Sequence, residues 1–218
     1  MNASIKKLTT LLSATAILGT MGMPVLASAE QGDFLVRGRL ISVSPDEKST
    51  IGVIGGEAKV GGEVTPELDF TYFVTDNIGM ELILATTKHS VSANGTALGD
   101  LDLGSVWLLP PTLTMQYHFT DLGKFKPYVG AGLNYTMFYN AKSGPVADSV
   151  KYKNKFGFAL QAGGDFEMAN DMFFNIDVKK LFLKTDVTVD ATTAAGAVVP
   201  ANVTLNPWVF GIGIGKKF

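Results

Sequence analysis

The chain has 218 residues, with 18 basic and 20 acidic side chains, a formal net charge of −2, no cysteine, 24 glycines and a hydrophobic fraction of 46%. The absence of a basic excess speaks against nucleic acid as a partner. The absence of cysteine excludes a disulfide framework, thiol catalysis and thiolate metal sites, and the length suits one domain.

The chain opens on a basic pair, Lys6 and Lys7, followed by a mostly apolar stretch from Leu8 to Val25 and the small residues Ala27-Ser28-Ala29 before Glu30. This pattern predicts a secretory signal peptide over residues 1–29, leaving residues 30–218 as the folded domain. Beyond residue 29 no apolar run approaches the ~20 residues that a spanning helix needs.

What recurs instead is a period of two, the signature of strands whose side chains point alternately to opposite faces. Val36 and Leu40 oppose Arg37 and Arg39. Leu68, Phe70 and Tyr72 oppose Glu67 and Asp69. Met80, Leu82 and Leu84 flank Glu81, and Leu113, Met115 and Tyr117 oppose Gln116 and His118. Val129, Ala131 and Leu133 oppose glycines. Phe158, Leu160 and Phe166 oppose Gln161 and Asp165, and Phe174, Ile176 and Val178 oppose Asn175, Asp177 and Lys179. Trp208, Phe210, Ile212 and Ile214 oppose Gly211, Gly213 and Gly215. The pattern predicts eight strands, over roughly 33–44, 65–74, 78–90, 111–119, 126–139, 155–167, 172–186 and 204–218.

Short polar turns at Thr75, Thr120 and Met168 alternate with long segments rich in Gly, Ala, Ser and Thr. An even strand number with alternating short and long connections is the layout of an eight-stranded antiparallel transmembrane β-barrel of the bacterial outer membrane, with both termini on the periplasmic, short-turn side. A soluble sandwich or lipocalin-like barrel shares the period but would bury the apolar face. The membrane sense is favoured because the polar face carries glycines and charges of both signs. Aromatics beside the short turns, Tyr72, Phe73, Phe119, Phe125, Tyr128, Phe166, Phe173, Phe174 and Phe218, also make a candidate interfacial belt.

Four stretches, "TDNIGMEL" (Thr75–Leu82), "LPPTLTMQYHF" (Leu109–Phe119), "KPYVGAGLNYT" (Lys126–Thr136) and "NPWVFGIGIGKKF" (Asn206–Phe218), resemble the outer membrane protein W (OmpW) family, which also includes hydrocarbon-uptake porins. The loops at 91–105, 140–153 and 187–203 carry little resemblance. The resemblance implies a narrow barrel with a partly hydrophobic interior that passes small apolar molecules. It also implies that the terminal Phe218 is a signal read by the outer-membrane assembly machinery. Lys216 departs from the family pattern, where an apolar or aromatic residue is usual; it faces lipid near the interface and can snorkel.

Orienting the strands by their short turns places Arg37, Arg39, Glu67, Asp69, Glu81, His118, Asp165, Asp177 and Lys217 in the lumen, where opposite charges are expected to pair into a polar plug. Towards the long loops the lumen is expected to turn apolar at Ile83, Leu181 and Leu183. Phe156 lies on the outward parity, but by local alignment with the family it is expected to be turned inward by a bulge. These four residues form the candidate ligand site for small hydrophobic solutes. Pro66, Pro110, Pro111 and Pro207 in the upper half would weaken the wall and allow sideways release into the bilayer.

No catalytic residues are expected. Thr114 and His118 lie ~13 Å apart along one strand, at about 3.3 Å per residue, and no G-x-S-x-G occurs. His89, near a loop, and His118 lack the clustered partners of a metal site, so no cofactor or metal is expected. The expected partners are outer-membrane lipids and lipopolysaccharide, small hydrophobic solutes and the assembly machinery. An adhesive barrel whose long loops bind a host or phage partner is the second functional reading, with Trp107 and Tyr139 as the main exposed aromatics.

Overall fold

In a computed structural model residues 30–51 and 55–218 are described; the expected signal peptide lies outside them. The strands are β1 (Phe34–Ser44), β2 (Lys48–Ile51), β3 (Glu57–Val60), β4 (Glu63–Phe73), β5 (Ile78–Ala85), β6 (Thr87–Thr96), β7 (Gly99–Leu109) and β8 (Thr112–His118), then β9 (Phe125–Ser143), β10 (Ser149–Tyr152), β11 (Lys155–Glu167), β12 (Met172–Phe182), β13 (Lys184–Ala191), β14 (Ala197–Thr204) and β15 (Trp208–Lys217). A single helical turn, α1 (Thr192–Ala195), interrupts the β13–β14 connection.

Eight of these strands close into an antiparallel ring, in the order β1, β4, β5, β8, β9, β11, β12, β15 and back to β1. The last strand is bonded to the first from Leu35↔Lys217 to Ser44↔Trp208, and Phe34 and Phe218 exchange backbone hydrogen bonds beyond it. The chain therefore ends inside the ladder, and the ring has no free edge to satisfy.

Within the ring the apolar parity faces outward and the polar parity inward. Leu40, Met115 and Ile212 are more than half exposed, while Arg37, Asp69 and Glu81 are wholly buried. A soluble barrel would show the opposite. Three members of the anticipated belt are corrected: Phe73, Tyr128 and Phe173 lie on the inward parity and are buried. Leu35, Phe73 and Phe173 form a small apolar cluster that closes the short-turn end of the lumen, while Tyr72, Phe119, Phe125, Phe166 and Phe174 face outward.

The long segments fold further than their composition implies. β5 and β12 end at Ala85 and Phe182, and their continuations, β6 and β13, rise above the ring with the inward parity unbroken. β6 pairs with β7 and β3, and β7 pairs with the upper part of the long β9. Opposite them stands a second sheet in the order β10, β13, β14, β2. These two sheets form a dome over the barrel, and in it the sense of alternation inverts. Val91, Val106, Val187 and Val199 point inward and are buried, whereas Lys88, Ser90, Lys184 and Pro200 on the opposite parity are exposed.

Glycines on the inward parity of β15 give the interior its room. A Cβ on Gly213 would lie 2.2 Å from the Gly38 carbonyl oxygen and 2.9 Å from the Arg39 stem, and one on Gly215 would lie 2.8 Å from the Arg37 stem. Gly38, on the outward parity, has nothing within 4 Å of such a Cβ. Gly213→Val is therefore expected to abolish the compact, heat-modifiable species on SDS gels, whereas Gly38→Ala leaves it intact.

Candidate functional site

The barrel interior is organised by two arginines that alternate positions of β1, 37 and 39, project inward. Arg37 grips Asp165 bidentately with one edge of its guanidinium, Nε to Oδ1 at 3.0 Å and Nη2 to Oδ2 at 2.7 Å. Its Nη1 donates to Asp69 at 2.8 Å and to Thr71 at 2.9 Å. Arg39 donates through Nε to Asn175 at 2.7 Å and through Nη1 to Glu67 at 2.9 Å; Nη2 reaches Glu81 at 3.1 Å. The planar fork of arginine suits this sharing, because its several N–H groups reach different partners at once.

A third cation completes the network. Lys179 donates to Glu67 and to Asp177, each at 2.8 Å. Tyr128 and Gln161 both donate to Asp177 Oδ2, at 2.7 and 2.8 Å, and Gln116 and Thr114 both donate to Glu81 Oε2, at 2.7 and 3.0 Å. All the anticipated plug residues, Arg37, Arg39, Glu67, Asp69, Glu81, His118, Asp165 and Asp177, are buried here. His118 joins through Gln116, to whose Oε1 its Nε2 donates at 2.9 Å, with its ring packed between Phe73 and Tyr128. Lys217 sits lower and pairs with Asp33 at 2.9 Å. Lys179, Tyr128, Gln161, Asn175 and Gln116 complete the network although sequence reasoning did not assign them to it; their inward parity was the available signal. Charges so buried are tolerable only because they are mutually paired.

Immediately above Glu67 and Lys179 the interior turns apolar. A small cavity of about 70 Å³ is lined by Ile83, Leu181 and Leu183, as expected, and also by Ile41, Val209 and Pro110. Phe156 is the exception among the four anticipated ligand residues. It is 75% exposed on the outside of the barrel, opposite Tyr135 in an unbroken β9–β11 register and packed against that ring. Without a bulge its outward parity decides its direction.

Above the small cavity lies a larger one of about 560 Å³ between the two sheets of the dome. Val91, Leu103, Phe138, Val150, Val187 and Val199 are among its walls. Its few polar lining groups are His89, Tyr152 and Thr185. Burial pushes the Tyr152 hydroxyl up to about 12, so it stays neutral. Val60, His89, Leu108 and Leu205 line both cavities and mark the neck between them. His89, expected as a polar residue near a loop, is thus buried at this neck. Most of the dome walls lie in segments read as loops; the alternating Val and Ala of "AVVPANVT" and of "KTDVTVDA" beyond residue 186 was the signal available.

The four prolines behave differently from one another. Pro66 keeps its place in the β1–β4 ladder opposite Leu40. The β5–β8 ladder stops at Ile83↔Thr112, and the next pair on that side is Thr87↔Leu108. Pro110 and Pro111 occupy the gap, opposite Leu84–Thr86, with the Thr86 hydroxyl donating to Leu108 O at 3.2 Å. Pro207 contributes its carbonyl to Leu181 N at 3.1 Å. Lys216 faces outward with its ammonium 5.4 Å from the Phe218 ring centroid.

Comparison with known proteins agrees with this architecture. The OmpW family model matches residues 30–218. Outer membrane protein W of Vibrio cholerae is 33% identical over 213 residues, covering 93% of this chain and 96% of that protein. The dibenzothiophene metabolism operon protein PahQ of Pseudomonas aeruginosa is 33% identical over 173 residues, covering 76% of this chain and 77% of that protein. Among solved structures, the outer membrane protein OprG from Pseudomonas aeruginosa superposes with a TM-score of 0.80 at 32% identity, covering 88% of this chain and 98% of that one.

The ionic network generates a stability prediction. Arg37→Met strips Asp165 and Asp69 of a shared partner and is expected to destabilise the barrel by about 3–5 kcal/mol, the usual range for breaking a buried pair. Lys216→Ala, outside the network, is expected to change stability by less than ~0.5 kcal/mol. Urea unfolding in lipid bilayers reads both.

Proposed function

Because the chain belongs to the OmpW family of bacterial outer-membrane barrels, we propose that it is a conduit that takes small hydrophobic molecules into its dome and releases them sideways into the bilayer above the charged plug. The observation that carries this reading is the pair of apolar cavities stacked on the ionic network, sharing Val60, His89, Leu108 and Leu205 as a common wall and ending beside a gap in the barrel wall. A cavity of this volume is within the range that holds small ligands. Its walls of Val, Leu and Ala offer a solute burial but little hydrogen bonding.

The direction of travel follows from what lies below. The network under Ile83 and Leu181 fills the barrel with paired charges, and an apolar solute would have to displace them at high cost. Sideways, the ladder is missing opposite Pro110 and Pro111, and the side chains there that border the small cavity include Ala85, Leu108 and Pro110. An apolar molecule leaving by that gap moves from one apolar medium to another. The relative PahQ is named for dibenzothiophene metabolism, and dibenzothiophene is a fused-ring molecule of this apolar class.

In this reading the protein is not an enzyme, and both termini and the short turns face the periplasm. Phe218, paired to Phe34 at the barrel seam, serves as the assembly signal, and lipopolysaccharide surrounds the dome. The mouth of the conduit is the crown of the dome, where Leu98 and Val198 are exposed beside the cavity-lining Ala97 and Ala197.

Outer-membrane vesicles containing lipopolysaccharide test this. Ile83→Lys places a charge in the lower cavity and is expected to reduce uptake of an apolar fluorescent tracer to that of vesicles lacking the protein. Phe156→Lys, on the outer surface, is expected to leave uptake unchanged. Full uptake by a correctly folded Ile83→Lys barrel contradicts the conduit. A quencher on lipid acyl chains is expected to meet the tracer before one trapped in the vesicle interior, and the reverse order contradicts sideways release.

A further inference from the structure

The neck between the cavities contains an uncommon polar pair. Thr87 and His89 are both buried, two residues apart on the inward parity of β6. His89 Nδ1 lies 2.6 Å from the carbonyl oxygen of Gly61. A carbonyl only accepts, so Nδ1 bears the proton and, in the neutral ring, Nε2 presents a lone pair. The Thr87 hydroxyl, 2.9 Å from Nε2, therefore donates its proton to the histidine. Its oxygen is left with acceptor capacity only, at the border of the lower cavity.

The other threonines around the cavities also have their protons engaged, but only Thr112 has its oxygen occupied as an acceptor as well, and none of them stands beside His89. Thr112 donates to the Pro110 carbonyl and accepts from Asn134, Thr136 donates to Asn134, and Thr185 donates to the Lys153 carbonyl. Val60, Leu108 and Leu205, which share the neck with His89, are apolar. A solute entering the lower cavity past Val60, Leu108 and Leu205 thus meets this acceptor above a floor whose charges, Glu67 and Lys179, are already paired. Such a point discriminates, because a solute hydroxyl without a partner there forfeits the hydrogen bond it had in water.

On the premise that the two cavities are the conduit proposed above, we propose that the Thr87–His89 pair is a binding point for apolar molecules bearing a single hydroxyl, alcohols or phenols, whose hydroxyl donates to the Thr87 oxygen while the body fills the apolar space. Solutes of the same size without a donor occupy the same space but gain nothing at the neck. Histidine serves here as an orienting base rather than a charge: it holds the threonine proton so that the oxygen faces the solute as an acceptor.

The test compares 2-naphthol with 2-methylnaphthalene, matched in size, bound to the whole barrel in lipid nanodiscs. Methyl NMR shifts of Val60, Leu108 and Leu205 report occupancy, and free concentrations are corrected for partitioning into lipid. Wild-type protein is expected to bind 2-naphthol about tenfold more tightly, the ratio that ~1.4 kcal/mol supplies. Thr87→Val, nearly isosteric, is expected to erase that preference with the affinity for 2-methylnaphthalene unchanged, and Thr87→Ser to restore it. An undiminished preference in Thr87→Val overturns the proposal. Should that variant fail to fold, the wild-type ratio decides: equal affinities overturn it. If neither compound shifts the neck methyls, the conduit itself is refuted, an outcome distinct from binding without preference.

Discussion

One constraint shapes the whole molecule: the same strands must suit two solvents in succession while their side-chain alternation never slips. From Glu81 through Ile83, Thr87, His89 and Val91, and from Asp177 through Leu181, Leu183 and Val187, the inward parity runs unbroken from ring to dome. What changes is its chemistry. In the ring the outward side chains are apolar and the inward ones charged; in the dome the outward ones are polar and the inward ones Val, Leu and Ala. A barrel wall that leaves hydrocarbon for water has to make this exchange. The interior charges therefore stop at one level, and an apolar cavity begins there.

The ionic network follows from the lower half of that constraint. An eight-stranded ring leaves space for side chains and little else, and the inward parity is polar, so the lumen is filled by charged groups that must satisfy one another. Arg37 and Arg39 do so because each guanidinium reaches several partners at once, Asp165, Asp69 and Thr71 for one, Asn175, Glu67 and Glu81 for the other. Gly213 and Gly215 opposite them provide the room. The network fills the lumen below the apolar cavities, which is why the proposed conduit leaves through the wall.

The ring was legible in the sequence because period two and the alternation of short and long connections are local signals that tertiary contacts did not override. Parity also placed Arg37, Glu81, Asp165, Ile83 and Leu183 correctly. Phe156 shows the limit of setting parity aside: the expected bulge does not exist, and the residue obeys its position in the strand. Phe73, Tyr128 and Phe173 teach the same lesson, since an aromatic beside a turn was read as interfacial where its parity put it inside. The dome was missed for another reason. Its strands are rich in Gly, Ala, Ser and Thr, which read as loop, and their pairing across β6–β7 and β13–β14 depends on partners that composition does not reveal. His89 closed the expected strand 78–90 on its inward parity, but the cavities it separates depend on the strands read as loop.

The direct measurement is an isotope-filtered NOE experiment on the deuterated, methyl-protonated barrel in deuterated lipid with a protonated apolar solute. Cross-peaks from the solute to the methyls of Val91, Val187 and Val199, with none from water, are expected if the dome is a dry apolar chamber. Water cross-peaks at those methyls, with solute signals confined to outward residues such as Leu133 and Ile212, would contradict the inversion on which the proposed conduit depends.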